Sequence, residues 1–323
     1  MTNLSVFLNA SADMRPGAAA LRCGDVTTSF SVLSSDVARF ADYLIDGGLR
    51  LDDRVAVMLP NRPELAIVFY GVLRAGGVAV LMSPSLSARA VEFCVAITGA
   101  RMLFFTHPHE VTTTLAATTA GTQPVSIGRH GIRPLIAGFA GRTQPVPRAD
   151  NDTAVILQTS DTSGRHESSI ELTHGNLAQN QAVTARNLLN LGPDDLVLTC
   201  LPLCEGFGLT SGLLASVYMG VTLALLPKFD ATKALKMIAS ERVTVFAGTP
   251  AMYTAMLRAA DRYDLDFSSL RLCISSAAIP AEMLRRFQDR FGSIVLERDA
   301  WISTSATGRE EDRDSYLLGR QKT

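Results

Sequence analysis

The sequence predicts a layered α/β fold with largely parallel sheets. Short apolar runs, typical of buried strands, alternate along the chain with longer amphipathic patterns typical of helices. This alternation favours parallel strands joined by helices. The chain has 323 residues, of which 47% are hydrophobic and 19% charged, a composition typical of globular proteins and with enough length for more than one buried core.

The elements follow in order from the N-terminus. A short strand and an amphipathic helix are predicted within residues 27–44, a buried strand, a proline-bounded turn and a helix within 53–70, and a glycine turn and a strand within 71–84. The candidate strands, which are mainly apolar, include 55–59, 78–82, 102–105, 154–158, 196–201, 221–225, 243–247 and 270–275. Residues 107–150 contain five prolines and predict a weak helix and strand followed by a connection.

A Ser/Thr/Gly-rich segment follows the strand predicted at 154–158. Its hydroxyl, glycine and cationic residues are Thr159, Ser160, Thr162, Ser163, Gly164 and Arg165. Hydroxyls, accessible backbone N–H groups, glycine and a cation are what a loop needs to hold phosphates. Such a loop by itself is usually a polar turn, so the phosphate-binding interpretation depends on the rest of the chain.

Taken with the elements before it, this segment resembles the phosphate-binding loop of the AMP-forming acyl-CoA synthetase (adenylate-forming ligase) superfamily. That loop is close to T-S-G-T-T-G-x-P-K-G and is followed by L-T-H-x-N, found here at residues 172–176. Asp161 stands at the first glycine, and Glu167 at the lysine. Two charges about 4 Å apart interact by roughly 4 kcal/mol at an effective dielectric near 20, so reversing the sign of the lysine weakens phosphate binding by up to about twice that.

A second segment resembles the L-P-L-F-H-x-F-G phrase that shapes the acyl pocket of the family. It reads LPLCEGFGLT over residues 201–210, which implies a substrate pocket at Cys204, Glu205, Phe207 and Gly208. A buried, unpaired carboxylate is strongly penalised and takes up a proton. The alternative is that Glu205 points to solvent.

Two later segments resemble adenine- and metal-binding phrases of the family. Residues 270–280 match a phrase close to S-G-G-A-A-L-P, with both glycines missing and one residue deleted, and residues 295–306 match L-x-x-Y-G-x-T-E. The resemblance places Asp299, Ile302 and Ser303 at the adenine-stacking, phosphate and magnesium positions, and Thr304 continues the pattern. Magnesium needs hard oxygen ligands, and a serine hydroxyl is a poor replacement for a carboxylate, so no metal ligand is assigned.

The resemblance covers nearly the whole chain and implies an N-terminal adenylation domain of two stacked αβαβα subdomains, with a boundary near residue 190. It implies ATP, Mg²⁺ and CoA as cofactors and a fatty or other carboxylic acid as substrate. A C-terminal lid domain, which carries the adenylation lysine in the family, is expected to be absent from residues 1–323. Two hypotheses follow: a catalytically inactive or impaired descendant that keeps a pocket or an interface, and a residual synthetase that takes the missing lysine from another chain.

Other function classes are disfavoured by composition. A net charge of −1 provides no basic surface for nucleic acid. Five cysteines without a C-x-x-C pair predict buried thiols rather than a zinc site. The N-terminus has no signal-peptide pattern, so a cytoplasmic location is expected, and a protein partner or a homo-oligomer is left open.

One segment satisfies the length criterion for a membrane span. Residues 207–226 contain no charged side chain over twenty positions. Their glycines and hydroxyl residues, together with the resemblance, favour a buried helix, turn and strand instead. No transmembrane segment is therefore predicted.

Overall fold

The computed structural model describes residues 3–106, 110–160 and 167–297, which form thirteen strands and a series of helices. The strands are β1 (Ala19–Cys23), β2 (Val26–Ser29), β3 (Arg54–Met58), β4 (Val78–Leu81), β5 (Met102–Thr106), β6 (Gln123–Ile127), β7 (Thr153–Ser160), β8 (Glu167–Thr173), β9 (Leu196–Thr199), β10 (Thr222–Leu225), β11 (Val245–Gly248), β12 (Leu272–Ser275) and β13 (Ile294–Glu297).

The helices connect these strands. They are α1 (Ser5–Met14), α2 (Phe30–Asp46), α3 (Pro63–Arg74), α4 (Ala88–Thr98), α5 (Glu110–Thr119), α6 (Arg133–Ile136), α7 (His174–Val183), α8 (Gly206–Gly208), α9 (Ala215–Met219), α10 (Ala231–Glu241), α11 (Pro250–Ala260) and α12 (Ala281–Phe291). Two segments are π-helical, π1 (Thr184–Leu188) and π2 (Leu209–Leu214).

The strands form two sheets. One has the order β13-β12-β11-β9-β10-β1-β2, and the other β6-β5-β3-β4-β7-β8. Neighbouring strands are parallel except for the pairs β1–β2 and β7–β8. All eight strands predicted from apolar runs are present, and the prediction of largely parallel sheets is confirmed.

Helices cover both faces of each sheet. The largest core cluster lies between the sheets and includes residues of α1, α2, α3 and α7. A second cluster packs α10, α11 and α12 on the outer face of the seven-stranded sheet, and a third packs α4 and α5 on the outer face of the six-stranded sheet. The layers are thus α, β, α, β and α, which confirms the predicted architecture.

Helices in the centre of the molecule bury more of their residues than helices on its surface. α3 is buried from Leu65 to Arg74 because both sheets contact it, whereas α12 buries only Phe287 and Phe291. Ser29 starts α2 by accepting a hydrogen bond from the Val32 N–H (3.3 Å).

The first two strands join a sheet made otherwise of later residues. β1 pairs in parallel with β10, about two hundred positions further along, through Leu21 and Leu223. The other strands before residue 190, β3 to β8, form the six-stranded sheet. The N-terminal segment therefore crosses the position proposed for a subdomain boundary.

Two interpretations of apolar sequence can be compared with the structure. Residues 207–226 fold into helical turns followed by β10, as predicted, and no helix in the three described ranges has the length and apolarity to cross a bilayer. The thiols of Cys94, Cys200, Cys204 and Cys273 are buried as expected, but Cys23 is only half-buried. That expectation was wrong for Cys23, which ends β1 next to the β1–β2 turn and lines a cavity.

Candidate active site

The predicted phosphate loop falls in the sequence between two antiparallel strands, β7 and β8. β7 and β8 pair antiparallel from Thr153 opposite Thr173 to Ser160 opposite Glu167. The backbone register therefore places Thr159, Ser160 and Glu167 at the base of the loop, where the two strands end.

Most of the predicted loop and adenine-site residues lie outside the described ranges. They are Asp161, Thr162, Ser163, Gly164, Arg165, Asp299, Ile302, Ser303 and Thr304. Their roles stay predictions.

The phrase after the loop starts α7, as its sequence predicts. The Thr173 hydroxyl accepts a hydrogen bond from the Asn176 N–H (3.1 Å), and the Asn176 side-chain oxygen accepts one from the Thr173 N–H (3.3 Å). This reciprocal pair satisfies backbone donors that a helix start otherwise leaves unpaired. The hairpin and the helix that carry the loop are therefore intact.

His174, the first residue of α7, is fully buried. Its Nδ1 accepts a hydrogen bond from the Leu4 N–H (3.3 Å), and its Nε2 has no partner within the described residues. Burial, followed by the nearby positive charge of Arg148, lowers the pKa of His174 to about 4. The imidazole is therefore neutral at physiological pH.

The predicted substrate-pocket segment follows β9 and is held by a residue that the sequence motifs did not identify. The Asn61 amide donates to the Leu201 carbonyl (2.7 Å), and its side-chain oxygen accepts from the Leu203 N–H (2.9 Å). Asn61 is buried in the turn between β3 and α3. A single side chain thus connects the ends of β3 and β9, in different sheets.

The four predicted pocket residues differ in their environments. Cys204 is buried, and burial first, then the charge of Glu205, raises its pKa to about 12. Glu205 is exposed at the start of α8, as the alternative proposed, although the atoms packed around its carboxyl still raise its pKa. Phe207 is half-buried beside the central core. Cys204 is consequently a thiol rather than a nucleophilic thiolate at neutral pH.

Gly208 is required by a close backbone approach. A Cβ at this position would lie 2.9 Å from the Pro202 carbonyl carbon and closer still to its oxygen. The next residues form π2, where the Thr210 hydroxyl donates to the Gly206 carbonyl (2.6 Å) and the Ser211 hydroxyl to the Phe207 carbonyl (2.5 Å). Single π-helical segments of this kind are frequent at functional sites.

The turn after β12 corresponds to the predicted adenine-binding phrase. The buried Ser275 hydroxyl donates to the Ala277 carbonyl (2.6 Å), and the Ile279 N–H donates to Glu297 Oε1 (2.6 Å). Glu297 ends β13, so it fixes the turn against the edge strand. No sequence motif indicated this role of Glu297.

Sheet topology brings these segments to one edge. β9, β11, β12 and β13 are consecutive parallel neighbours, so the chain leaves all four at the same edge. α7, which follows the phosphate-loop hairpin, packs against π2. The carboxyl edge of parallel strands is where open α/β folds bind ligands, and the structure places the predicted pocket and adenine segments there.

The groups placed at this edge suit ATP and Mg²⁺ poorly. The Ile279 N–H already donates a hydrogen bond to Glu297 and is not available to bind a nucleotide. In the sequence, the acidic residue Glu167 directly follows the predicted phosphate loop, where a cation would suit phosphates better. Within residues 3–106, 110–160 and 167–297, no cluster of three His, Cys, Asp or Glu side chains is arranged to hold a metal ion.

The Asn61 bridge makes a stability prediction. Replacing Asn61 with alanine leaves the Leu203 N–H and the Leu201 carbonyl unpaired in a buried turn, so we expect the free energy of unfolding to fall by roughly 2 kcal/mol. Urea denaturation measures this loss of stability. The matched control is Asn151→Ala, at an exposed position. Equal effects of the two substitutions would mean that the bridge does not stabilise the fold.

Comparisons with known proteins agree with the geometry. The model of a family described as AMP-binding enzyme matches residues 8–300. A long-chain-fatty-acid–CoA ligase of Bacillus subtilis is 29% identical, over 91% of this chain and 59% of the relative. A feruloyl-CoA synthase of Amycolatopsis is 32% identical, over 86% of this chain and 55% of the relative. The chain thus spans less than two thirds of these relatives.

Solved structures share the fold. The inhibitor-bound N-terminal domain of FACL13 from Mycobacterium tuberculosis superposes with a TM-score of 0.86 at 26% identity, covering 98% of this chain and 81% of that one. ATP-bound MatB from Rhodopseudomonas palustris gives a TM-score of 0.84 at 26% identity, covering 94% and 61%.

Proposed function

This chain belongs to the AMP-binding enzyme family, and we propose that it is an acyl-CoA-synthetase-like protein whose adenylation chemistry is impaired or lost. The main support is the presence of two acidic residues at the ends of the predicted phosphate loop. The register places Glu167 opposite Ser160 at the base of the loop, and the sequence places Asp161 where the chain enters it. Two carboxylates thus flank a segment that in the resembling family holds phosphates, and like charges repel.

The adenine segment supports the same proposal. Its backbone and hydroxyl donors at Ser275 and Ile279 are used within the protein, and both glycines of the family phrase are missing, with one residue deleted. A ligand approaching this turn meets side chains where the family has bare backbone. Impairment therefore extends beyond a single position.

The alternative is ATP-dependent activation of a fatty or other carboxylic acid to an acyl-adenylate and then an acyl-CoA, with help from another chain. It is favoured by the intact hairpin, by Thr159 and Ser160 at the end of β7, and by the preserved start of α7. Under either proposal Cys204, Glu205, Phe207 and Gly208 belong to the acyl pocket. Cys204, Phe207 and Gly208 carry no charge, which suits a fatty acid.

Pyrophosphate exchange tests the proposal. We expect purified residues 1–323, with ATP, Mg²⁺ and a series of fatty acids, to give no exchange above a protein-free blank. An active long-chain-fatty-acid–CoA ligase assayed beside it shows that the conditions support the reaction. Appreciable exchange by the unmodified chain would contradict the proposed impairment and establish the alternative.

Pocket survival is measured separately, by titrating the protein with a non-hydrolysable acyl-adenylate mimic of increasing chain length. A ligand that binds only the folded state raises stability by RT ln(1 + [L]/Kd). We expect the thermal midpoint to rise with acyl length, because the 201–208 segment and π2 keep a packed structure. A flat response from a cooperatively melting protein would show that the acyl pocket is lost as well.

A further inference from the structure

A cavity of about 710 Å³ lies beside the end of β10. Its walls come from the β1–β2 turn, the start of α3, residues 130–133 and one side of α10. It shares no residue with the loop hairpin or with residues 201–208. Cavities of 300–1,000 Å³ are the usual size of small-molecule sites, so this one has room for a ligand of its own.

The interior of this cavity is apolar. Ile67, Ile132 and Leu225 form part of its lining and are otherwise buried. Val26 also lines it and is 58% exposed, which is high for a valine in a strand next to a core. An apolar group bound here would remove the Val26 side chain from water, which is favourable.

Basic side chains surround the opening. Four basic and two acidic residues line the cavity: Arg62, Arg133, Lys233 and Lys236, and Asp36 and Glu64. Two of the basic groups already have partners within the described residues. Arg133 Nε pairs with Asp36 Oδ2 (3.2 Å), and Lys236 Nζ lies 5.5 Å from the centre of the Tyr263 ring.

Arg62 and Lys233 are exposed and make no ion pair with any carboxylate in the described ranges. The Glu64 carboxyl lies against the backbone of Gly131, where a Cβ would be 2.6 Å from Oε1. The opening therefore keeps an excess of positive charge with two cations available to a ligand.

The position of Lys233 is not explained by helix stability. It is the third residue of α10, and the Asp230 side chain caps the helix by accepting a hydrogen bond from the Lys233 N–H (2.8 Å). Carboxylates are favoured in the first turn of a helix and cations are disfavoured, because the N-terminus carries partial positive charge. A lysine here costs the helix stability, and an anion at the cavity would offset that cost.

We propose that this cavity binds an amphipathic anion, a carboxylate or phosphate monoester with an apolar chain. The head group lies between Arg62 and Lys233 at the opening, and the chain lies along Val26 and Met237. This goes beyond the proposed function, because no residue of the phosphate loop or the acyl pocket takes part. Both the carboxylate and the phosphate head group present anionic oxygens to Arg62 and Lys233. The labelling experiment distinguishes between the two.

Cys23 provides the measurement. It lines the cavity and is half-buried, whereas Cys94, Cys200, Cys204 and Cys273 are buried. A maleimide should therefore label the folded protein at Cys23 alone, as peptide mapping verifies. Labelling at the buried cysteines would report unfolding. Each amphiphile is therefore used at concentrations too low to cause labelling of these four cysteines.

The rate of Cys23 labelling is followed with dodecanoate and with dodecyl phosphate, each below its micelle concentration. We expect at least one to slow labelling, and the stronger protector identifies the head group. Dodecyltrimethylammonium, with the same chain and the opposite charge, should protect at least about tenfold more weakly, since one unfavourable charge contact corresponds to that factor or more. Equal protection by the cation, or none by either anion, would overturn the proposal.

Two lysine variants make the test specific. Lys233→Glu reverses the charge at the opening and places a favoured residue in the first turn of α10, so the fold should be retained. We expect it to raise the concentration for half-protection at least about tenfold. Lys228→Glu, at an exposed lysine that follows the lining residue Pro227 but does not itself line the cavity, should change it clearly less, because solvent screens a charge that does not contact the ligand. Undiminished protection in Lys233→Glu would refute the site.

Discussion

The protein is expected to lose roughly 3 kcal/mol of stability between pH 6.5 and pH 4 because of His174 alone. Burial lowers the pKa of this imidazole from 6.5 to about 4 in the folded state, and the charge of Arg148 acts in the same direction. Each unit of difference in pKa between the folded and unfolded states corresponds to about 1.4 kcal/mol. The difference at His174 is therefore large compared with the total stability of an ordinary domain.

The direction follows from proton uptake. Above pH 6.5 the imidazole is neutral in both states, so the contribution is fully present. As the pH falls from 6.5 towards 4, the unfolded chain binds a proton at His174 and the folded chain does not, which favours unfolding. The raised pKa of Glu205 acts in the opposite sense, and the lowered pKa values of Asp42 and Asp195 act below pH 3.8.

Urea denaturation of wild type and His174→Asn across this pH range isolates the effect. Asparagine keeps an acceptor for the Leu4 N–H and does not titrate, so the variant should lose most of the slope between pH 6.5 and 4. His130→Asn, at an exposed position, should leave the slope unchanged. A His174→Asn variant with the wild-type slope would show that another group carries the acid sensitivity.

Restoring the charge pattern of the phosphate loop should strengthen nucleotide binding on the order of a hundredfold. Asp161→Gly with Glu167→Lys removes two anions and adds one cation at the hairpin of β7 and β8. The unscreened estimate of up to about 8 kcal/mol for reversing the lysine position is reduced by water and salt at an exposed loop, which leaves a smaller gain. ATP affinity measured by calorimetry gives the change.

The control is Glu171→Lys, which makes the same change of charge as Glu167→Lys on an exposed side chain four residues along β8. It should alter ATP affinity only slightly. We expect no pyrophosphate exchange from the restored loop, because the adenine segment and positions 299–303 are also altered. Turnover by the double variant would show that loop charge alone had disabled the chain, and equal gains from Glu171→Lys would show a nonspecific charge effect.

Some features of the candidate site could be predicted from local sequence, and others could not. The start of α7 was predictable because the Thr173–Asn176 pair acts within four residues. Glu205 was left open between burial and solvent, and the structure exposes it because it precedes the short helix α8. Cys23 was expected to be buried, and only the cavity at the end of β1 shows otherwise.

By itself, the sequence determined the order and type of the elements and the family to which the chain belongs, because periodicity, caps and loop motifs act over short windows. Tertiary structure alone decided that β1 joins β10, that Asn61 bridges residues 140 positions apart, and that Val26, Arg62 and Lys233 line one cavity. Such contacts depend on how two sheets pack around α3, and no local pattern records which distant side chains that packing brings together.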